Sequence, residues 1–226
     1  VKVAVLTLCR DRLDYTQHCF QTLRDNAGCD FDHFVLDQGS SDDTAGWLLT
    51  EQAAGRVRSV YLTGENIGCT RGWNTLLRVC RPEFYDVIVC FDNDCEVITK
   101  NTLQAVGHAA YAHKEILAPR VLGLLHPPPT ISRFRLGPNL IDETTILGNI
   151  FMAIPSSLLA WGGFRWDERY AVWDGGESIT AWHRDRGGRC GYVQGFYVNH
   201  YKTTLGQVED IPWYFERRVH EGGRPR

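Results

Sequence analysis

A chain of 226 residues, 43% of them hydrophobic and 23% charged, is long enough to bury a sizeable α/β core and too apolar to be a disordered tether. Its formal net charge of −3 excludes the general basic field that captures DNA or RNA, because such capture rests on neutralising phosphates. The opening VKVAVLTL is too short for a secretory hydrophobic region or a membrane span and runs at once into Arg10-Asp11-Arg12, so the reading is a cytoplasmic protein whose membrane contact is peripheral at most.

In chain order, Val1 to Leu8 reads as a buried strand. Tyr15, Cys19 and Leu23, spaced i, i+4 and i+8, mark the inner face of a helix that Gly28 ends. Phe31 to Leu36 is a second strand, leading through Asp37-Gln-Gly-Ser-Ser-Asp-Asp-Thr44 into a helix with Trp47 and Leu48, which Ser41 or Asp42 can cap. Val57 to Leu62 gives a third strand, and Gly64-Glu-Asn-Ile-Gly68 a loop before a helix through Leu76, Leu77 and Val79. This alternation predicts right-handed crossovers and a largely parallel sheet, with ligands beyond the carboxyl ends of its strands, where Thr7, Asp37, Asn66 and Asp92 fall. Further on come a helix around Thr102 to Ala110 and a strand from Ile116 to Ala118. His126-Pro-Pro-Pro129 then implies loop or hairpin from about 120 to 145. A strand pattern over Ile146 to Ile154, a short helix from Ser156 to Trp161, a helix opening near Glu177, and short strands at Cys190 to Val193 and Phe196 to Val198 complete the pattern. With no repeat, linker or composition break, one domain over 1–226 is expected. The eight cysteines show neither zinc nor redox spacing and read as structural thiols.

The chemistry concentrates at Val87 to Asp94, VIVCFDND. Five apolar residues run into two carboxylates one residue apart, the pattern of a buried parallel strand breaking out at a site edge. Two such charges on one side of a turn repel each other unless a divalent cation lies between them. Oxygen ligands without a Cys-x-x-Cys or His-x-x-x-His partner point to Mg²⁺ or Mn²⁺, ions that keep part of their shell for substrate phosphates.

The ordered set of the Val3-to-Arg10 strand, Asp37-Gln-Gly-Ser-Ser-Asp-Asp-Thr44, Asn66-Ile-Gly68 with Arg71 and Asn74, Asp92-Asn-Asp94, Gly162-Gly-Phe164, an acidic residue before a glycine-ended helix, and His200 resembles family 2 glycosyltransferases. The resemblance spans roughly residues 3 to 201. It implies a GT-A fold: a Rossmann-like three-layer sandwich with a mostly parallel central sheet and a smaller antiparallel acceptor-side portion. The donor-binding half would run to about residue 98 and the acceptor half from about 99 to 205, with a tail over 206–226. Thr7 and Arg10 then begin the nucleotide pocket, Asp37 contacts the base, Asn66 and Gly68 shape the donor loop, and Arg71 offsets diphosphate charge. Asp92 and Asn93 lie near the ribose, Asp94 ligates the metal with Asp92 as second ligand, and His200 approaches the metal or diphosphate. Glu177 takes the place of the catalytic base, with Asp174 as competitor, and Trp161, Trp166 and Trp173 flank the acceptor side with indole faces suited to sugar rings, their alternative being burial in the core. Each residue also has a plainer reading: a turn carboxylate for Asp37, a solvated charge for Arg71, a core histidine for His200, a helix-end carboxylate for Glu177.

The implied activity is metal-dependent transfer of a hexose, with inversion, from a nucleotide-sugar donor, UDP-linked by preference, to a hydroxyl of a saccharide or other acceptor. The rivals are a nucleotidyltransferase, although no glycine-rich phosphate loop follows the first strand, and a catalytically silent nucleotide- or glycan-binding module.

Overall fold

The computed structural model describes residues 1–124, 127–160, 163–169 and 175–201. Its first half follows the alternation read from sequence: β1 (Val3–Cys9), α1 (Leu13–Asn26), β2 (Asp32–Asp37), α2 (Thr44–Ala53), β3 (Ser59–Leu62), α3 (Cys69–Cys80) and β4 (Val87–Phe91). β1 pairs in parallel with β2 on one side and β4 on the other, and β3 extends the sheet beyond β2. Every residue of β4 is buried, as are six of the seven in β1. Helices cover both faces of these strands, so they read as continuous apolar runs without alternation.

The second half adds β5 (Cys95–Val97), α4 (Thr102–His113), β6 (Ile116–Leu122), β7 (Ser132–Leu136), β8 (Asn139–Glu143), β9 (Phe151–Pro155), α5 (Ser156–Ala160), α6 (Gly175–Arg184) and β10 (Cys190–His200). The ten strands form one sheet in the order β3-β2-β1-β4-β9-β6-β10-β8-β7, with β5 on β10. Antiparallel β9 separates the parallel half from a mixed half in which β6 and β10 run parallel and the β7–β8 hairpin pairs antiparallel. The core divides by face. Val3, Val5 and Val89 pack with Phe20, Leu23, Leu48 and Val106 of α1, α2 and α4. Ala4, Leu6 and Ile88 pack with Trp73, Leu77, Leu159 and Ile179 of α3, α5 and α6. This is the three-layer GT-A sandwich.

Two elements differ from the sequence reading, and a third resolves an alternative it left open. The short β5 was not read as a strand. The strands expected at Cys190 to Val193 and Phe196 to Val198 are one strand, β10, with a register shift between Val193 and Tyr197. The irregularity falls opposite Pro119 and Arg120 of β6, where proline lacks the amide that an unbroken ladder needs. The stretch from 132 to 143, read as loop or hairpin, is a hairpin. Its outward residues are polar, so it carries little apolar signal.

Candidate active site

β4 ends at Phe91, and Asp92, Asn93 and Asp94 turn the chain into β5. The turn is held from several directions. The Asp92 amide donates to the Ile150 carbonyl at 3.1 Å, and the thiols of Cys19 and Cys95 both donate to the Asp92 carbonyl at 3.1 Å. The Asn93 amide group donates to the Thr16 hydroxyl of α1 at 2.8 Å. Two of the free, buried cysteines therefore act as short donors that fix the acidic turn.

β5 pairs antiparallel with the end of β10, setting His200 opposite Cys95, and the Tyr201 amide donates to the Asp94 carbonyl at 3.1 Å. This pairing carries His200 from the far end of the chain to Asp94. One ligand atom from each of Asp92, Asp94 and His200 lies within 4.8 Å of the others. Asp94 and His200 are only 5% and 9% exposed, and His200 Nε2 lies 3.4 Å from Asp94 Oδ1. Ligands on opposite sides of an ion at about 2.1 Å stand about 4.2 Å apart, so a slight contraction closes the cluster on one cation. Two carboxylates and an imidazole are donors that suit a divalent cation.

Electrostatics separate the two carboxylates. Burial pushes the Asp92 carboxyl up, and the neighbouring Asp94 charge adds to this, raising it to about 7 against the opposing pull of His200 and Arg12. Burial also works against the charge on Asp94, but the His200 hydrogen bond and charge, together with Arg12, outweigh it and hold that carboxyl below its usual range. The Arg12 contact is short, with Nη1 donating to Asp94 Oδ2 at 2.6 Å.

Around this centre the loops after β1 and β2 are tied together. The Asp11 amide donates to the Ser40 hydroxyl at 2.8 Å, and the Ser41 amide to Asp11 Oδ1 at 2.6 Å. Asp42 accepts from the Leu13 amide at 3.1 Å and the Thr44 amide at 3.0 Å, holding the starts of α1 and α2 with one carboxylate. Asp37 is buried, and its carboxylate accepts from the Ser40 amide at 3.1 Å and from the Ser40 hydroxyl. Beside it, Gln38 is 7% exposed, and its Oε1 has no hydrogen-bond partner among the described residues. In the loop after β3, Asn66 Oδ1 accepts from the Gly68 amide at 2.9 Å. Gly68 takes φ 88°, ψ 162°, backbone that only glycine adopts readily, to begin α3.

The sequence-predicted residues thus meet different fates. Asp92, Asp94 and His200 come together. Arg10 lies just after β1, 3.9 Å from Asp11. Exposed Arg71 at the start of α3 faces Glu168 across 3.6 Å. Three others are engaged by the protein itself. Thr7 is fully buried and shares a 2.9 Å hydrogen bond with His33, so its hydroxyl serves the core. Asn93 is directed to α1, where its amide group meets the Thr16 hydroxyl. Trp166, 2% exposed, packs against Trp73 and Phe164 while its amide donates to Asn74, leaving no indole face for a sugar. Trp161, Trp173 and Asp174 lie outside the described residues, as does the tail over 206–226. Glu177 stands in the first turn of α6, whose start presses on the chain before β9: a Cβ on Gly176 would fall 1.7 Å from the Leu147 carbonyl oxygen. Sequence reasoning missed Arg12 and Gln38. Arg12 looks like a solvated charge, and its only signal is its place directly after the first strand.

The family model for glycosyl transferase family 2 matches residues 4–124. No curated protein matches the sequence. Among solved structures the fold is similar to S. aureus TarS, with TM-score 0.66 and 14% identity over 99% of this chain and 41% of that one. It is also similar to GalNAc-T7, solved with UDP, GalNAc and Mn²⁺, with TM-score 0.67 and 12% identity over 91% of this chain and 44% of that one. A third is the mannosyltransferase PcManGT from Pyrobaculum calidifontis, solved with GDP-Man and Mn²⁺, with TM-score 0.62 and 14% identity over 99% and 65% of the two chains. This chain therefore spans 41% to 65% of the length of these structures. No helix among its described residues is long and apolar enough to cross a membrane.

Proposed function

The chain belongs to glycosyl transferase family 2, and from that membership we propose that it transfers a hexose, with inversion, from a nucleotide-sugar donor to an acceptor hydroxyl, using a divalent cation. The observation that carries this is the convergence of Asp92, Asp94 and His200 beyond the end of β4. A cation bound there would neutralise charge developing on the departing diphosphate.

The chain's own residues supply the rest. Glu177 removes the proton from the acceptor hydroxyl as that oxygen bonds to the anomeric carbon from the face opposite the nucleotide. The bond to the phosphate oxygen breaks, and a nucleoside diphosphate leaves with the electron pair. Base assistance of this kind contributes about 10²- to 10⁴-fold. Arg10 and Arg71 lie beside the donor phosphates, Arg71 exchanging its exposed Glu168 contact for them. Gln38 faces the base. Its unpartnered carbonyl oxygen and its amide N–H match the N3–H donor and O4 acceptor of uracil, and a TarS fragment similar in fold was solved with UDP-GlcNAc. A UDP-hexose is therefore the preferred donor, and Mn²⁺ the preferred ion because of His200.

The test is nucleoside diphosphate release from UDP-glucose, UDP-galactose, UDP-GlcNAc and GDP-mannose, with Mn²⁺, Mg²⁺ or chelator. Slow, Mn²⁺-dependent release from one of them is expected, and Glu177→Gln should keep donor binding while losing transfer. Donor binding without release, even with added saccharide acceptors, would make the chain a silent binding module. Calorimetry with no uptake of any nucleotide in either metal would overturn the reading altogether.

A further inference from the structure

Asp94 shares its two oxygens between different partners: Oδ1 faces His200 at 3.4 Å, and Oδ2 accepts from Arg12 Nη1 at 2.6 Å. The Arg12 side chain is largely buried, and its other terminal nitrogen, Nη2, is enclosed with no hydrogen-bond partner among the described residues. A guanidinium is a planar fork whose nitrogens suit carboxylate and phosphate oxygens alike. Here one prong is used on Asp94 and the other is left without an acceptor.

The backbone is built for this placement. Asp11 and Arg12 both adopt left-handed conformations, φ 53° and 66°, which non-glycine residues seldom do and which rarely occur in succession. The contacts of Ser40, Ser41 and Asp42 with Asp11 and Leu13 hold the segment on both sides of Arg12. A surface arginine balancing a carboxylate needs no such constraint.

Resting on the reading of the site given above, we propose that Arg12 is a positioning and phosphate-binding residue. It pins Asp94 Oδ2 so that a single oxygen of that carboxylate is left for the cation, and its Nη2 takes a donor phosphate oxygen. Two opposite effects follow. Without nucleotide, the guanidinium charge opposes a divalent cation and keeps its hold on the free protein weak. With nucleotide, the same charge and its second N–H pair strengthen the complex. Cation capture is thereby tied to donor arrival.

The experiment is calorimetric titration of wild type, Arg12→Met and Arg12→Lys with Mn²⁺ alone, with UDP (and GDP) in saturating Mn²⁺, and with uridine, which has no phosphate. Arg12→Met should bind Mn²⁺ about three- to tenfold more tightly than wild type, and UDP about tenfold more weakly, with uridine unchanged. A merely structural arginine would weaken Mn²⁺ and UDP together. That outcome, or unaltered UDP affinity, overturns the proposal. Should Arg12→Met fail to fold, Arg12→Lys decides: UDP affinity at least threefold weaker with Mn²⁺ affinity retained supports the role, and any other pattern overturns it. If wild type takes up neither UDP nor GDP with Mn²⁺, the transferase reading itself has failed, which is a different result from a wild type that binds and variants that do not differ.

Discussion

His33 is buried in β2 between the rings of Phe20 and Phe31 and shares its Nε2 hydrogen bond with Thr7. Burial, assisted by the charge of Arg24, pushes the imidazole down to about 3. Between pH 6.5 and about 3 the unfolded chain takes up a proton here that the folded chain refuses, so stability falls as pH falls through that window, by at most about 1.4 kcal/mol per pH unit. His33→Gln should lose stability at pH 7.5, yet show a shallower decline in denaturant midpoint between pH 7.5 and 5; an unchanged slope would assign the acid sensitivity elsewhere. Gln38 allows a second test. On the proposed reading, replacing it with alanine removes two hydrogen bonds to the base, together worth about 1–3 kcal/mol, so UDP should bind roughly five- to 150-fold more weakly while pyrophosphate binds as before. Single residues were also where the sequence was hardest to read. Thr7 and Trp166 carry the composition of site residues, but composition does not reveal whether a side chain points into a layer or out of the strand end. Arg12 reaches Asp94 only through two left-handed residues, and no periodicity predicts those.

Elements were far more legible, because a strand buried on both faces and a helix with one apolar stripe impose distinct spacings on the sequence. β1, β2, β4, α1, α3 and α4 all announce themselves in this way, and Asp92 and Asp94 could be placed at a strand end before any coordinates existed. The exceptions have physical causes. β5 is only three residues long, β7 and β8 bury little, and the register shift in β10 interrupts its pattern opposite Pro119. The start of α6 is set by contact and not by propensity. Because Gly176 abuts the Leu147 carbonyl, Gly176→Ala must move one against the other, at a cost of about 1–3 kcal/mol for overpacking. Glu177 follows directly, so this variant should keep UDP affinity but lose transfer at least tenfold; normal turnover would show that Glu177 is not held by this contact or not needed.

Over the whole molecule, a ligand that binds only the folded chain raises its stability by mass action, about 2.7 kcal/mol at one hundred times its dissociation constant. For a chain of this size each kcal/mol shifts the melting temperature by about 2–4 °C. UDP with Mn²⁺ at that excess should therefore raise melting by about 5–10 °C, chelator should remove most of the gain, and Asp94→Asn should abolish its metal-dependent part. An equal gain with and without metal would separate nucleotide binding from the acidic cluster. The sheet order gives this coupling a temporal side. The two carboxylates belong to the parallel half, which local crossovers assemble, whereas the imidazole arrives on the last described strand and meets them only when β10 aligns along β5. A chain emerging from the ribosome would hold its acidic turn with no imidazole beside it until β10 zips into place, so any grip of this cluster on an ion would come late in folding.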